Sequence, residues 1–432
     1  MASEGHHSMR LDEFADLNPP RLLKKGAIAK LIDMAALPIS HRSIELSSVE
    51  KRPYSSGARF KNGDSLLARI TPCLENGKSA FVNCLEKDEV AAGSTEFIVI
   101  AAKREIEADF VYYASCLPEF RQYAISRMEG TSGRQRVSHH AIADFEFPYI
   151  EPEDRVVIGR TLRSLDDRID HNRALAANLE AIARRLFKSW FVDFDPVRAK
   201  AAGEKSVGLA DDIAELFPDR LVESEFGEIP EGWQLGTLAM VAHLNSETWT
   251  ARKHPDEIHY LDLSNVKNGL IDAPTKYFWG EAPSRARRVL QEGDTIIGTV
   301  RPGNRSFALI DQSGLTGSTG FAVLRPKSDS EKEYLYLAAT SDDAIERLAH
   351  LADGAAYPAV RPEVVQETEV VIPSVEIMAA FSAVTKGIID RASVCKQENM
   401  VLVWIRDLLL PRLISGKLRV EDAETLIEEA IA

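Results

Sequence analysis

Arginine, lysine, asparagine and histidine set among glycine, serine and proline are the residues of this chain best suited to a specific chemistry. Guanidinium and ammonium groups hold phosphates, and arginine and the amides also hydrogen-bond to base edges. In the first half the candidates are Arg59, Lys61, Lys78, Arg134, Arg136 and His139. In the second half they are Arg285, Arg287, Arg288, Arg301, Asn304, Arg305, Tyr357 and Arg361. A lone surface charge is ordinarily just solvated, so the weight rests on recurrence. The Arg134–His139 group follows Gly130, the Tyr357–Arg361 group follows Gly354, and each precedes the last expected strand of its half.

Catalytic patterns are missing. Asn18-Pro19-Pro20-Arg21 has the first three residues of an amino-methyltransferase motif, but arginine stands where a base-stacking ring belongs. No glycine-rich strand–turn–helix follows it to cradle a nucleotide cofactor. Asp193-Phe194-Asp195-Pro196 lacks the double proline. There is no G-x-x-x-x-G-K-[ST] and no G-x-S-x-G. His139-His140 are adjacent and cannot turn both side chains to one metal, the adjacent Asp166-Asp167 are expected as a solvated helix face, and Cys73, Cys84, Cys116 and Cys395 contain no C-x-x-C. The expectation is a non-catalytic chain with no cofactor or metal of its own and free thiols.

The elements that would position the basic groups occur twice. Asn62-Gly63-Asp64-Ser65-Leu66-Leu67-Ala68-Arg69-Ile70-Thr71-Pro72 returns as Glu292-Gly293-Asp294-Thr295-Ile296-Ile297-Gly298-Thr299-Val300-Arg301-Pro302, 230 residues later. Gly93-Ser94-Thr95-Glu96-Phe97 returns as Gly317-Ser318-Thr319-Gly320-Phe321 at an offset of 224, and Asp167-Arg168 as Asp390-Arg391 at 223. Such a period far exceeds that of a solenoid or propeller and marks a duplicated domain. Short β-rich runs bounded by Gly, Pro, Asn and Asp predict strands near 65–70, 80–83, 97–101, 295–300, 307–310 and 321–324. Helices are expected over 109–127 and 331–351, and residues 1–25 as irregular chain.

After each half comes a long apolar stripe. Ile158, Leu162, Leu165, Ile169, Asn172, Ala176, Leu179, Ala183, Leu186 and Trp190 alternate steps of four and three. That is a heptad seam held over more than four heptads. The second stripe, with Ile388, Asn399, Leu402 and Leu409, is less regular. Each stripe can bury itself on its own domain or on the other helix, and the strict period favours the latter. Helices of about 35 residues would run about 50 Å. The expected fold is α/β (α+β): two similar globular domains separated by two long helices in an antiparallel coiled coil, with pseudo-two-fold organisation. The boundaries are a first domain at 1–152, a helix at 153–200, an acidic linker at 201–231, a second domain at 232–375, a helix at 376–420 and an acidic tail at 421–432.

The net charge of −14 is segregated. The linker carries nine acidic and two basic residues and the tail five acidic and none basic, so the rest of the chain is near neutral and compatible with two basic patches. No run of about 18 apolar residues exists to span a membrane. The N-terminus lacks a signal-peptide core, and a cytoplasmic location is expected.

Taken together these features resemble the specificity subunit of a Type I restriction–modification system. The likeness is carried by Leu74-Glu75-Asn76-Gly77-Lys78-Ser79 with Gly93–Phe97, and by Gly227-Glu228-Ile229-Pro230-Glu231-Gly232-Trp233. Residues 179–194, from Leu179-Glu180-Ala181 to Val192-Asp193-Phe194, and 408–418, from Leu408-Leu409-Leu410-Pro411 to Gly416-Lys417-Leu418, resemble the family's two helical spacers and their exits. It extends from about residue 22 to 420. The resemblance implies two target recognition domains, each reading one half of a split double-stranded DNA target, and a coiled coil that sets the unread gap. It implies two modification subunits that bind S-adenosylmethionine and methylate adenine, and restriction subunits that use ATP and Mg. The helical residues implied to hold the coil and partners are Leu162, Leu165, Ile169, Asn172, Leu179, Leu186, Trp190, Ile388, Leu402 and Leu409. An exposed coiled-coil flank awaiting partners could let the isolated chain self-associate. The alternative is a protein-interaction scaffold, or an inactive homologue, that does not read DNA.

Overall fold

The glycine- and asparagine-bounded apolar runs fold as strands in a computed structural model that describes residues 8–431 except 40, 45, 47, 48, 132, 226 and 355–357. Two compact units result. The first takes the chain up to Ala174 and again from Gln397, and the second is Leu175–Lys396.

In the first unit the strands are β1 (Ala15–Leu17), β2 (Ile28–Ile32), β3 (Val49–Pro53), β4 (Ala58–Phe60), β5 (Asp64–Ala68), β6 (Ser79–Phe81), β7 (Ala91–Gly93) and β8 (Phe97–Ala102). They form two four-stranded sheets, ordered β1-β8-β5-β6 and β3-β2-β7-β4. Within the second sheet β2 and β7 are parallel and the other pairs antiparallel. In the second unit the strands are β9 (Ala242–Leu244), β10 (Glu257–Leu261), β11 (Thr275–Phe278), β12 (Ala286–Val289), β13 (Thr295–Gly298), β14 (Phe307–Leu309), β15 (Leu315–Ser318) and β16 (Phe321–Pro326). Their sheets are β9-β16-β13-β14 and β11-β10-β15-β12, the same order strand for strand, with the same single parallel pair. The central strands β5 and β13 are buried along their whole length, so Leu66-Leu67-Ala68 and Ile296-Ile297 are apolar without alternation, while the polar Asp64, Ser65 and Thr295 are buried with them.

Three expectations change. Residues 8–17 are not irregular: Ser8–Arg10 pairs with Glu146–Pro148, a helical turn Leu11–Phe14 buries Leu11 and Phe14, and β1 follows. Three-residue strands are too short to show a period. The helix expected over 109–127 is two, Ala108–Cys116 and Pro118–Ser126, because Pro118 starts a new helix at its first turn. The one expected over 331–351 is likewise split into Lys332–Ala339 and Asp342–Leu351, where the Ser341 hydroxyl caps the second by accepting from Ala344 N at 3.3 Å.

The two long helices are Pro152–Phe191 and Val375–Ile414, 40 residues each. In the first unit Leu162, Leu165, Ile169, Leu402 and Leu409 are buried in one core with Phe110, Phe120 and Phe147. Asp166, buried rather than solvated as expected, meets Arg406, and Ile169 meets Asn399, so the helices run antiparallel there. Both seam asparagines fall in this unit: Asn399 donates to the Ile169 carbonyl at 3.1 Å, and Asn172 is buried. In the second unit Ala176 packs with Ala392 and Cys395, and Trp190 meets Phe381 with ring centroids 5.4 Å apart, again antiparallel. Each stripe therefore faces both its companion helix and a domain core. At the start of the second stripe the buried face is displaced by one residue, with Ile388 half-buried while Phe381, Thr385 and Ile389 are buried, whereas from Ala392 on the expected apolar seam residues are buried. Leu179 and Leu186 are half-buried and Trp190 is buried. Among the described residues no helix is long and apolar enough to cross a membrane.

Candidate nucleic-acid interface

One backbone junction organises the basic residues in each unit. In the first unit the chain leaves β5 through Arg69, whose N–H donates to the Glu96 carbonyl at 3.0 Å while its own carbonyl accepts from Val137 at 3.0 Å. Thr71 N donates to the Gln135 carbonyl at 3.0 Å, and Ile70 bridges Arg136. In the second unit Thr299 N donates to the Gly320 carbonyl at 2.8 Å, and Thr299 O accepts from Val360 at 2.9 Å. Arg301 N donates to the Pro358 carbonyl at 2.7 Å, and Val300 bridges Ala359. These are the same four contacts at the repeat offsets. The loop before the final strand, Glu146–Pro148 in the first unit and Glu369–Ile372 in the second, thus docks on the exit of the central strand, twice.

At the first junction this brings together Arg69, Arg134, Arg136 and His139. Arg134 is exposed. Arg136 is held side-on by Glu96, with Nε 2.9 Å from each carboxylate oxygen and Nη2 2.7 Å from Oε1. Partial burial, with His140 and Arg69 nearby, holds the His139 ring below its ordinary pKa and favours the neutral form. The Arg69 Nε is buried without a hydrogen-bond partner among the described residues. Arg59 lies half-buried on β4, and Lys61 is exposed in the turn before β5. The Lys78 backbone pairs with Ala68, but its ammonium donates to the Met34 carbonyl at 2.9 Å.

At the second junction Arg301 and Arg305 flank the turn Pro302–Asn304, both in left-handed backbone conformation, with φ of 48° and 60°. Asn304 is exposed. Arg305 donates from Nε to Asn268 at 2.9 Å and pairs with Asp342 at 2.6 Å. Arg361 is exposed at the start of the short helix Pro362–Gln366. Arg288, on β12, reaches Thr248 Oγ1 at 3.5 Å, and its burial lowers the guanidinium pKa against the opposing field of Glu363. The neighbours of Arg288 are otherwise engaged. Arg285 donates to Tyr260 Oη at 3.1 Å and pairs with Asp262, while Arg287 lies 4.4 Å above the Trp279 ring, itself stacked on His254. Tyr357 lies outside the described residues.

Sequence reasoning missed Arg69 and Glu96. Both stand at repeat positions held by Thr299 and Gly320, so aligning the copies finds the places but not the chemistry. The Asn-Pro-Pro motif has a structural role. Asn18 sits at φ 49°, donates from its backbone to the Val99 carbonyl at 2.7 Å and accepts Val99 N on Oδ1 at 2.9 Å. Asn245, also at φ 49°, makes the same two bonds to Val323 at 2.8 and 3.1 Å with no proline after it.

No protein-family model matches the chain. It is 25% identical over 424 residues to the Type I restriction enzyme HindI specificity subunit of Haemophilus influenzae, covering 87% of this chain and 90% of that one. It is 22% identical over 329 residues to the MjaIX specificity subunit of Methanocaldococcus jannaschii, covering 75% of this chain and 72% of that one. Against the crystal structure of the Type I restriction–modification S subunit from M. genitalium the TM-score is 0.51 at 15% identity, over 96% of this chain and 98% of the other, which shows a shared fold.

Proposed function

We propose that this chain, a relative of Type I restriction enzyme specificity subunits along most of its length, reads a bipartite DNA target through its two domains and is itself non-catalytic. The observation that carries the reading is the duplicated junction, which sets basic side chains on the same strand exit in each unit. Two copies of one docking geometry with different side chains suit two different half-sites. A scaffold would have no use for arginines in both copies. Recognition on this reading involves Arg134, Arg136 and His139 in the first domain and Arg288, Arg301, Asn304 and Arg361 in the second.

The partners proposed are double-stranded DNA, two modification subunits and restriction subunits. S-adenosylmethionine, ATP and Mg would act in those subunits, and the assembly would work in the cytoplasm. The test is methylome sequencing of cells that carry this chain with a modification subunit, with and without the chain. A motif of two short blocks and a fixed gap that vanishes on deletion supports the reading. No such motif, with the modification subunit active alongside another specificity chain, rejects it in favour of the scaffold.

A further inference from the structure

We propose that Glu96 is a positioning residue for base reading: it fixes Arg136 so that the first domain presents a rigid two-donor fork to a guanine. The inference rests on the DNA-reading assignment above and names the chemistry of one half-site. A guanidinium has five N–H bonds. Glu96 takes the one on Nε and one on Nη2, and the Arg134 carbonyl takes one on Nη1 at 3.2 Å. Among the described residues, one N–H is left on each terminal nitrogen. That is the end-on pair which O6 and N7 of guanine accept together. Adenine offers N7 beside an amino group, so the same fork meets a donor there and is disfavoured.

Both halves of the pair are anchored by backbone. Glu96 accepts Arg69 N on its carbonyl and donates from its own N–H to Ser94 Oγ at 3.1 Å. Arg136 is in a two-residue ladder with Glu129 and Val137 with Met128. The side chains are 42% and 23% exposed, so the fork reaches solvent while its far edge is restrained. A restrained arginine loses less side-chain freedom on binding than a loose one. A carboxylate beside it is unfavourable next to a phosphate, which directs the pair to a base edge rather than to the DNA backbone. The second domain has Gly320 and Ala359 at these two positions and cannot use this device.

The test takes the full chain assembled with its modification subunits, a randomised duplex pool, and sequencing of the retained DNA. Glu96→Ala is expected to relax one G·C position in one block by roughly tenfold, with the other block unchanged. Arg136→Ala should relax the same position, and adding Glu96→Ala to it should change nothing further. Glu96→Gln keeps the size and removes the charge, and should relax the same position if the alanine variant folds poorly. A wild-type complex that selects two blocks, with an unchanged motif in the Glu96 variants, overturns the positioning role and leaves the DNA-reading assignment standing. Uniform loss on every duplex also overturns it, because it marks a folding or phosphate-side effect. A wild-type complex that selects no motif overturns the assignment beneath it.

Discussion

The two units share a backbone plan and differ in what they bury beneath it. In the first, the helix core holds a polar network: Arg406 donates to Asp166 Oδ1 at 2.7 Å, and Tyr113 donates to Oδ2 at 2.6 Å. The residues at the repeat positions in the second unit are Ala183, Ile389 and Leu337. Ala183 and Ile389 are 0% and 4% exposed, so the place of the ion pair is filled by hydrocarbon. One architecture therefore tolerates either solution. The lesson is that the fold is fixed by strand order and packing volume, whereas the buried charge is a local choice with a desolvation penalty.

The largest test of that contrast is to break the pair. Arg406→Ala should destabilise the chain by about 3–5 kcal/mol, because it leaves the buried Asp166 carboxylate without its cation, and Asp166→Ala should cost less, because Arg406 keeps Asp407 at 2.8 Å. The triple change Asp166→Ile, Arg406→Ala, Tyr113→Phe, which imports the second unit's chemistry and removes the stranded hydroxyl, should regain at least half of the Arg406→Ala loss in chemical denaturation. A triple variant as unstable as Arg406→Ala would mean the network specifies the fold of the first unit.

A smaller difference concerns two equivalent aspartates. Asp64 starts β5 and Asp294 immediately precedes β13; both are buried, and each accepts a backbone N–H three residues back, at 2.8 Å in both cases. Their arginines come from different places. Arg21 reaches Asp64 with Nη2 alone at 2.7 Å, whereas Arg325 on β16 grips Asp294 at 2.8 and 2.9 Å and adds Glu247 at 2.7 Å. Arg325→Ala should therefore cost about 3 kcal/mol and Arg21→Ala about half as much. Equal losses would show that desolvation of the aspartate, not the grip of the arginine, sets the penalty. The smallest effect sharpens the likeness instead. Asn18→Ala and Asn245→Ala should each lose about 1–2 kcal/mol, from one hydrogen bond and a left-handed backbone, and agree closely with one another.

Much of this was legible in the sequence because a duplication supplies its own alignment. The repeated runs located the central strands, and the four–three alternation located the long helices. What stayed hidden depends, with one local exception, on contacts between distant positions. The split at Pro118 is local chemistry overriding an amphipathic pattern. The one-residue shift from Ile388 to Ile389 is confined to the start of the second stripe, in a helix that serves a domain core and a companion helix together. The basic candidates were found as a group, yet composition could not tell Arg136, braced by Glu96, from Arg285 and Arg305, occupied by Asp262 and Asp342. Those distinctions are set by partners far away in the chain.

The central claim is that each domain reads its own block of DNA. The most direct measurement is methylome sequencing of cells carrying Arg136→Ala or Arg301→Ala beside the unaltered chain. The account predicts that each variant relaxes a different block and leaves the other block and the gap intact. Relaxation of the same block by both, or an even loss over every site, would contradict it.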